Sequence, residues 1–231
     1  MRPTKSSLIR NEGAKRRIIV KDLVIIGAGG FGREVADTVH SINRIKQTYN
    51  LLGFVDDGEH LKNKTINDII VIGSREDLKA LCSKRQIYAA IAIANANIKK
   101  EIAKDLEGFV TWENIIHPTA QVSDYCDMGK GNILQAFSIV GPNTRIGNHC
   151  MINSRSGMGH DARMDDYVSV MSFCDITGGV ELKEGVYLAL GVGIIPGITI
   201  GEGAYICAGS IVFKDVEAGA TMIGNPAKRI K

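Results

Sequence analysis

His160 is the only one of the five histidines that follows a glycine and stands directly before a carboxylate, Asp161. An imidazole titrates near neutral pH, so it can take a proton from a nucleophile under ordinary conditions. A carboxylate on one ring nitrogen fixes the tautomer and keeps the other nitrogen basic, which is the logic of a catalytic triad. No serine or cysteine nucleophile need be added, because direct transfer to an acceptor suffices. His117 precedes Pro118 and reads as structural, and His40, His60 and His149 have no comparable context.

A second set of residues could hold an anion. Gly27, Gly29 and Gly32, with Gly30 among them, give G-x-G-x-x-G directly after the apolar run Leu23-Val24-Ile25-Ile26. Glycines let a backbone approach a pyrophosphate closely, and the N-terminus of the following helix favours its charge. Asp56 and Asp57 come 24 and 25 residues after Gly32, where a carboxylate can accept a hydrogen bond from a ribose or a base N–H. Alone, this motif suggests a nicotinamide dehydrogenase. Only about 90 residues are available before the pattern changes, and no second mononucleotide half appears. A half-fold holding one nucleotide diphosphate is therefore the expectation.

The elements around that turn alternate. Strands are expected at Leu23–Ile26, Leu51–Asp56 and Ile87–Ile93. Helices are expected over 33–39, near 75–84 behind Ser74 as N-cap with Asp77 three residues on, and over 97–106. Strands alternating with helices imply a parallel sheet with crossovers. Phe109 and Trp112, at the C-terminal boundary of this alternating region, read as packing residues.

The pattern then switches to a period of six. From Ile116 to Val212, stepping by six, all 17 positions are branched aliphatic residues or Met. Neither a helix of period 3.6 nor an alternating strand sustains that period. The position two earlier is mostly small or β-branched, and the position just after is often Gly, as at Gly129, Gly141, Gly147, Gly159 and Gly201. These glycines are expected where the backbone must turn. The pattern predicts a solenoid: each hexad is one short strand and one turn, and three hexads close a triangular coil. The aliphatic residue points inward onto its equivalent three hexads later, and coils must stack to bury it.

Composition narrows the classes. With 45% hydrophobic and 23% charged residues the chain can bury a core and stay soluble. No apolar run reaches transmembrane length and none of signal-peptide length precedes Leu23, so a cytoplasmic protein without membrane insertion is expected. Cys82, Cys126, Cys150, Cys174 and Cys207 show neither CxxC pairing nor metal-ligand spacing, so buried thiols and no metal are expected. Residues 1–21 carry seven basic side chains against Glu12 alone, or +6. The whole chain is +3, so the remainder is −3 and is not a nucleic-acid binder. The basic stretch reads as a solvated extension.

The two patterns in this order resemble the bacterial sugar acetyltransferases of the hexapeptide-repeat superfamily. Sialic acid O-acetyltransferase and the N-acetyltransferases of the bacillosamine, perosamine and viosamine pathways belong there. The marks are Gly27-Ala28-Gly29-Gly30, Phe54-Val55-Asp56-Asp57, Ala92-Ile93-Ala94-Asn95 and Ile116-His117-Pro118. Further on come Asn153-Ser154-Arg155-Ser156, Gly159-His160-Asp161 and Gly224-Asn225-Pro226-Ala227-Lys228. The resemblance implies a Rossmann-like α/β half-domain followed by a left-handed parallel β-helix, and a homotrimer. It implies acetyl-CoA as co-substrate, with His160 as general base and Asp161 orienting it. Gly27, Gly29, Gly30, Asp56, Asp57 and Asn95 would hold the substrate nucleotide, and Phe173, Gly191 and Lys228 would touch acetyl-CoA. Phe173 stands for a family glycine whose N–H meets the acetyl carbonyl, and Ser169 for a second histidine. Phe31 replaces another histidine in the glycine-rich turn. Gly191, Gly193, Pro196 and Gly197 line a pantetheine groove in the family, or are simply coil corners. Pro226, Lys228 and Arg229 would lie near the adenine and its phosphates.

The expectation is thus a basic extension over 1–21, a nucleotide-binding βαβ domain over 22–110 and a β-helix acyltransferase domain over 111–231. The expected reaction is acetyl-CoA-dependent N-acetylation of a nucleotide-linked 4-amino-4,6-dideoxy sugar for surface glycans. O-acetylation of a sialic-acid type sugar, and a non-catalytic β-helix that binds a nucleotide sugar, are the alternatives.

Overall fold

The computed structural model describes residues 20–231; most of the basic extension, residues 1–19, lies outside them. The chain enters through β1 (Lys21–Ile26) and continues through α1 (Gly30–Ile45), β2 (Tyr49–Val55), β3 (Thr65–Ile66) and β4 (Ile69–Gly73). After these come α2 (Arg75–Cys82), β5 (Tyr88–Ile91), α3 (Ala96–Asp105) and β6 (Thr111–Trp112). The sheet order is β3-β4-β2-β1-β5-β6, parallel except for the β3–β4 hairpin. Lys21, assigned above to the extension, is the first residue of β1, and its Nζ pairs with Glu113 Oε1 at 2.7 Å. The strands β3, β4 and β6 were not anticipated, because each is short or lacks a sustained alternating pattern.

Helix α1 is longer than the apolar spacing suggested, because it begins inside the glycine-rich turn. Gly29 is its N-cap without a side-chain cap. Helix α2 has the expected capping box: Ser74 accepts from Asp77 N, and Asp77 Oδ2 accepts from Ser74 N at 2.9 Å. Val24, Ile26 and Val55 bury one face of the sheet against α2 and α3, while Leu23, Ile25 and Phe54 bury the other against α1. Phe109 is not a packing residue: it is exposed, with Lys79 Nζ 5.6 Å above its ring. Trp112 is buried, edge-on to His149 at 4.7 Å.

From Ile115 onward two-residue strands recur with the period of the hexad and stack into three parallel sheets, making a left-handed β-helix. Each strand pairs with its equivalent one coil on, as Ile133 with Met151 and Leu134 with Ile152. The inward series is the one read from the sequence: Leu134, Ile152, Val170, Leu188 and Ile206 stack inside with their equivalents from the other two faces. Fully burying one such side chain stabilises the fold by about 1.5–3 kcal/mol. Among the positions two earlier, buried Asn132, Ser138, Thr144 and Ser156 return hydrogen bonds to turn carbonyls, as Ser156 Oγ does to Met171 O at 2.7 Å. A hairpin, Thr221–Ile223 with Lys228–Arg229, closes the far end.

The glycines after the inward residues serve a different purpose from the one expected. None of Gly129, Gly141, Gly147, Gly159 or Gly201 has positive φ. They are small because the next coil passes directly beneath: a Cβ on Gly201 would stand 2.4 Å from Ala218 N, and one on Gly159 2.8 Å from Gly178 N. From Gly131 to Gly209 the left-handed backbone falls two residues later in each hexad. There it is carried by Gly131, then by Phe137, Asn143, His149, Arg155, Asp161, Tyr167 and Phe173, and then by Gly179, Gly185, Gly191, Gly197, Gly203 and Gly209. The corners therefore read Phe137-Arg155-Phe173-Gly191-Gly209, Asn143-Asp161-Gly179-Gly197 and His149-Tyr167-Gly185-Gly203, each step being one full coil.

Candidate functional site

The turn between the strands Gly157–Met158 and Arg163–Met164 holds His160 and Asp161. Met158 and Met164 are buried in the prism and anchor both ends of the turn. Asp161 is a left-handed corner residue, φ 59°, and its N–H donates to Pro142 O at 3.0 Å. That geometry brings Asp161 Oδ2 to 2.7 Å from His160 Nδ1 and leaves Nε2 as the other ring nitrogen. Asn143, one coil earlier on the same corner, donates from Nδ2 to Asp161 Oδ1 at 3.3 Å. The bond with His160, and then that with Asn143, hold the Asp161 carboxyl below its ordinary range.

Gly178, not anticipated, lies beneath the imidazole. A Cβ there would come within 2.6 Å of His160 Cε1 and Nε2, so only glycine lets the ring lie across the next coil. The signal was present: counting three hexads on from His160 reaches Gly178, one coil later. The side chains of His160 and Asp161 are 69% and 58% exposed, so the pair stands on an open face of the protomer.

The structure separates Phe173 and Gly191 from that pair. Both belong to the neighbouring corner, one coil apart, and Lys228 lies exposed in the terminal hairpin. The backbone N–H of Phe173 donates to Ser154 O at 3.2 Å, so it is engaged within the solenoid rather than free for an acyl carbonyl. The same bond recurs down the corner, from Gly191 N to Ser172 O and from Gly209 N to Leu190 O. The Phe173 ring projects outward, 55% exposed, with the Arg155 guanidinium 5.3 Å from its centre. Gly191 and Gly197 have φ of 70° and 75°, which is the corner reading of those glycines; Gly197 and Gly209 also leave the backbone bare, with nothing within 4 Å of an added Cβ.

At the sheet, the glycine-rich turn joins β1 to α1. Gly27 has φ 104° and donates to Val55 O at 2.8 Å. A Cβ on Gly32 would fall 2.0 Å from Gly27 O, so this glycine seats α1 on the turn. Gly29 and Gly30 have no close protein atom apart from Arg33 Nη2 at 3.8 Å from an added Cβ on Gly30, which leaves their backbone approachable. Asp56 is tied into the loop: Oδ2 accepts from Ala28 N and Oδ1 from Gly58 N, both at 2.9 Å. Asp57 is paired with Arg75, whose Nε donates to Oδ2 at 2.6 Å. Asn95 is the N-cap of α3, its Oδ1 accepting from Ile98 N at 3.1 Å. Asp56, Asp57 and Arg75 line a cleft of about 290 Å³ at the carboxyl ends of β1 and β2. Such a crevice at the point where strand order reverses is where open α/β sheets bind ligands.

A buried contact joins sheet domain and β-helix, and nothing in the sequence marked it. Lys99, on α3, is 1% exposed, and its Nζ donates to His149 O at 2.9 Å, Val168 O at 3.2 Å and Ser169 Oγ at 2.9 Å. Ser169 Oγ in turn donates to Ala94 O at 2.7 Å. Burial pushes the Lys99 ammonium down to about 8, and burial together with Lys99 pushes His149 down to about 4. Burial raises the thiols of Cys150 and Cys174 to about 12 and about 11, so neither is a nucleophile at neutral pH. Among the described residues no group of His, Cys, Asp or Glu is placed to hold a metal ion, and no helix is long and apolar enough to cross a membrane.

Residues 22–106 match the family described as the PglD N-terminal domain. Over both domains the chain is similar to perosamine N-acetyltransferase from Caulobacter crescentus, solved in complex with CoA and GDP-perosamine. The TM-score is 0.84 and the identity 25%, covering 92% of this chain and 98% of that one. It is also similar to the acetyltransferase domain of PglB from Neisseria gonorrhoeae in complex with acetyl coenzyme A. There the TM-score is 0.81 and the identity 25%, covering 91% and 100%. WeeI from Acinetobacter baumannii gives a TM-score of 0.81 at 28% identity, covering 91% and 100%.

Proposed function

We propose that this chain, an acyltransferase of the hexapeptide-repeat type with a PglD-like N-terminal domain, transfers the acetyl group of acetyl-CoA to the amine of a nucleotide-linked 4-amino-4,6-dideoxy sugar. The observation that carries the reading is the His160–Asp161 pair, set on a turn whose neighbour Gly178 makes room for the imidazole. The glycine-rich turn and its cleft supply the place for a nucleoside diphosphate, and the solved relatives with both domains hold CoA together with such a sugar nucleotide or acetyl-CoA.

In this reading Asp161 holds Nδ1–H, so Nε2 carries the lone pair. His160 Nε2 removes a proton from the acceptor amine as its nitrogen bonds to the thioester carbon. As the C–S bond breaks, His160 returns that proton to the departing thiolate. General base catalysis of this kind contributes about 10²–10⁴-fold. The exposure of the dyad means that another surface must exclude water from it. A second protomer in a homotrimer is the natural candidate, since β-helix prisms offer repeated flat faces for symmetric packing. The backbone of the glycine corners would lie along the CoA arm, and Lys228 would meet its phosphates.

The test is release of free CoA thiol from acetyl-CoA by the full chain, with GDP-, UDP- and dTDP-linked 4-amino-4,6-dideoxy sugars as acceptors. Release with one of them, and an N-acetylated product by mass, is the expected result. Absence of release with all three overturns the reading.

A further inference from the structure

Several aspartates at turns of this chain are fixed by backbone N–H groups. Asp56 accepts from Ala28 N and Gly58 N, Asp57 from Arg75 N, Asp77 from Ser74 N, and Asp166 from Asn148 N at 2.7 Å. Asp161 differs. Among the described residues neither of its carboxylate oxygens accepts from a backbone N–H. Its Oδ2 meets His160 Nδ1 at 2.7 Å, and its Oδ1 accepts from Asn143 Nδ2 at 3.3 Å. Asn143 stands one coil earlier on the same corner, with φ 58° against 59° for Asp161. Asp161 N–H donates to Pro142 O at 3.0 Å, so the two turns are held in register and the two side chains leave them side by side. The same corner carries Gly179 and Gly197 on the next two coils, so the turn itself requires no side chain.

We infer that Asn143 is a positioning residue for the proposed base, acting through Asp161, whose carboxylate it turns so that Oδ2 meets the His160 ring; the inference rests on the acetyl-transfer reading above. A carboxylate without backbone tethers can rotate among its staggered conformers. An amide donor on Oδ1 removes much of that freedom. It also favours the ionised carboxylate, the form that accepts Nδ1–H. With Nδ1–H held, Nε2 keeps its lone pair toward the acceptor. Asparagine suits this place on two counts: it tolerates left-handed backbone, and its amide reaches the carboxylate one coil away. An aspartate there would tolerate the corner equally well but would set a second carboxylate against the first.

Asn143→Gly keeps the corner and removes the donor. Its turnover in the thiol-release assay is expected to fall about three- to tenfold, the effect of one hydrogen bond to a charged group on an open face. KM for both substrates and the melting temperature should stay nearly constant. Asn143→Asp should lose more. In Asp161→Gly, which also keeps the corner, adding Asn143→Gly should change turnover no further. A readout that needs no substrate is the nitrogen NMR spectrum of the His160 ring in the full chain, in mildly alkaline solution. The wild type is expected to hold its proton on Nδ1, and Asn143→Gly to move population toward the Nε2–H tautomer. Wild-type turnover with an unchanged tautomer in Asn143→Gly overturns the positioning role, and so does a loss that persists in the Asp161→Gly background. If the wild type transfers no acetyl group and the tautomer still shifts, the transfer reading falls while the positioning of His160 stands.

Discussion

Lys99 Nζ lies 2.9 Å from Ser169 Oγ, and both residues are 1% exposed, so a lysine on α3 is buried against the β-helix with no carboxylate partner among the described residues. It is satisfied by two carbonyls and one hydroxyl instead. Through it the end of α3 that lines the cleft is tied to the solenoid that carries His160.

This contact has a pH signature. The folded chain holds the Lys99 proton only up to about pH 8, whereas the unfolded chain holds it to the ordinary value of 10.5. Over that window the unfolded state binds more protons, so raising the pH favours the folded state. Relative to Lys99→Met, the wild type should gain up to about 3 kcal/mol between pH 8 and pH 10.5. Urea titrations of both proteins at several pH values check this; a constant difference across the window would show that burial does not shift this amine.

His160→Ala is expected to lower turnover by about 100-fold or more while leaving CoA affinity nearly unchanged, because a base acts on the transition state and not on ground-state binding. Turnover from thiol release and affinity from calorimetry separate the two. Near-normal turnover would remove His160 from the chemistry.

Asp161→Asn keeps a residue that tolerates the left-handed corner. An amide in place of the carboxylate can present its N–H₂ to Nδ1, which would place the ring proton on Nε2 and leave no base facing the acceptor. Turnover should fall by at least about tenfold with the melting temperature nearly constant. Equal losses in turnover and stability would mean that Asp161 serves only the turn.

Gly178→Ala should reduce turnover without unfolding the chain, since its Cβ meets the movable His160 ring. Gly201→Ala has no such escape: the Cβ meets backbone, Ala218 N at 2.4 Å, and should destabilise by about 1–3 kcal/mol or more, the range for overpacking. Gly203→Ala points into open space at φ 64° and should cost about 1 kcal/mol, the left-handed penalty alone. Chemical denaturation of the two solenoid variants gives the order, and a reversed order would contradict the close coil contact.

Much of this protein is written locally. The hexad series survives in the structure residue for residue, because an inward side chain once per hexad has only a stacked solenoid in which to hide. The G-x-G-x-x-G turn and the His160-Asp161 neighbours are likewise short-range facts: three glycines set by one turn, and a ring and a carboxylate adjacent in the chain. What lay beyond the sequence was every relationship spanning a coil or a domain. The glycines after the inward residues are small because of the backbone of the next coil rather than a turn of their own, as Gly201 and Ala218 show. Phe173 belongs to a different corner from His160, since three hexads close one coil and only residues a whole number of coils apart share an edge. Asp57, an expected nucleotide ligand, is held by Arg75, and Lys99 is buried across a domain boundary. Types and periods determine which residues turn inward; which outward residues meet depends on how coils and domains stack, and only the tertiary structure decides that.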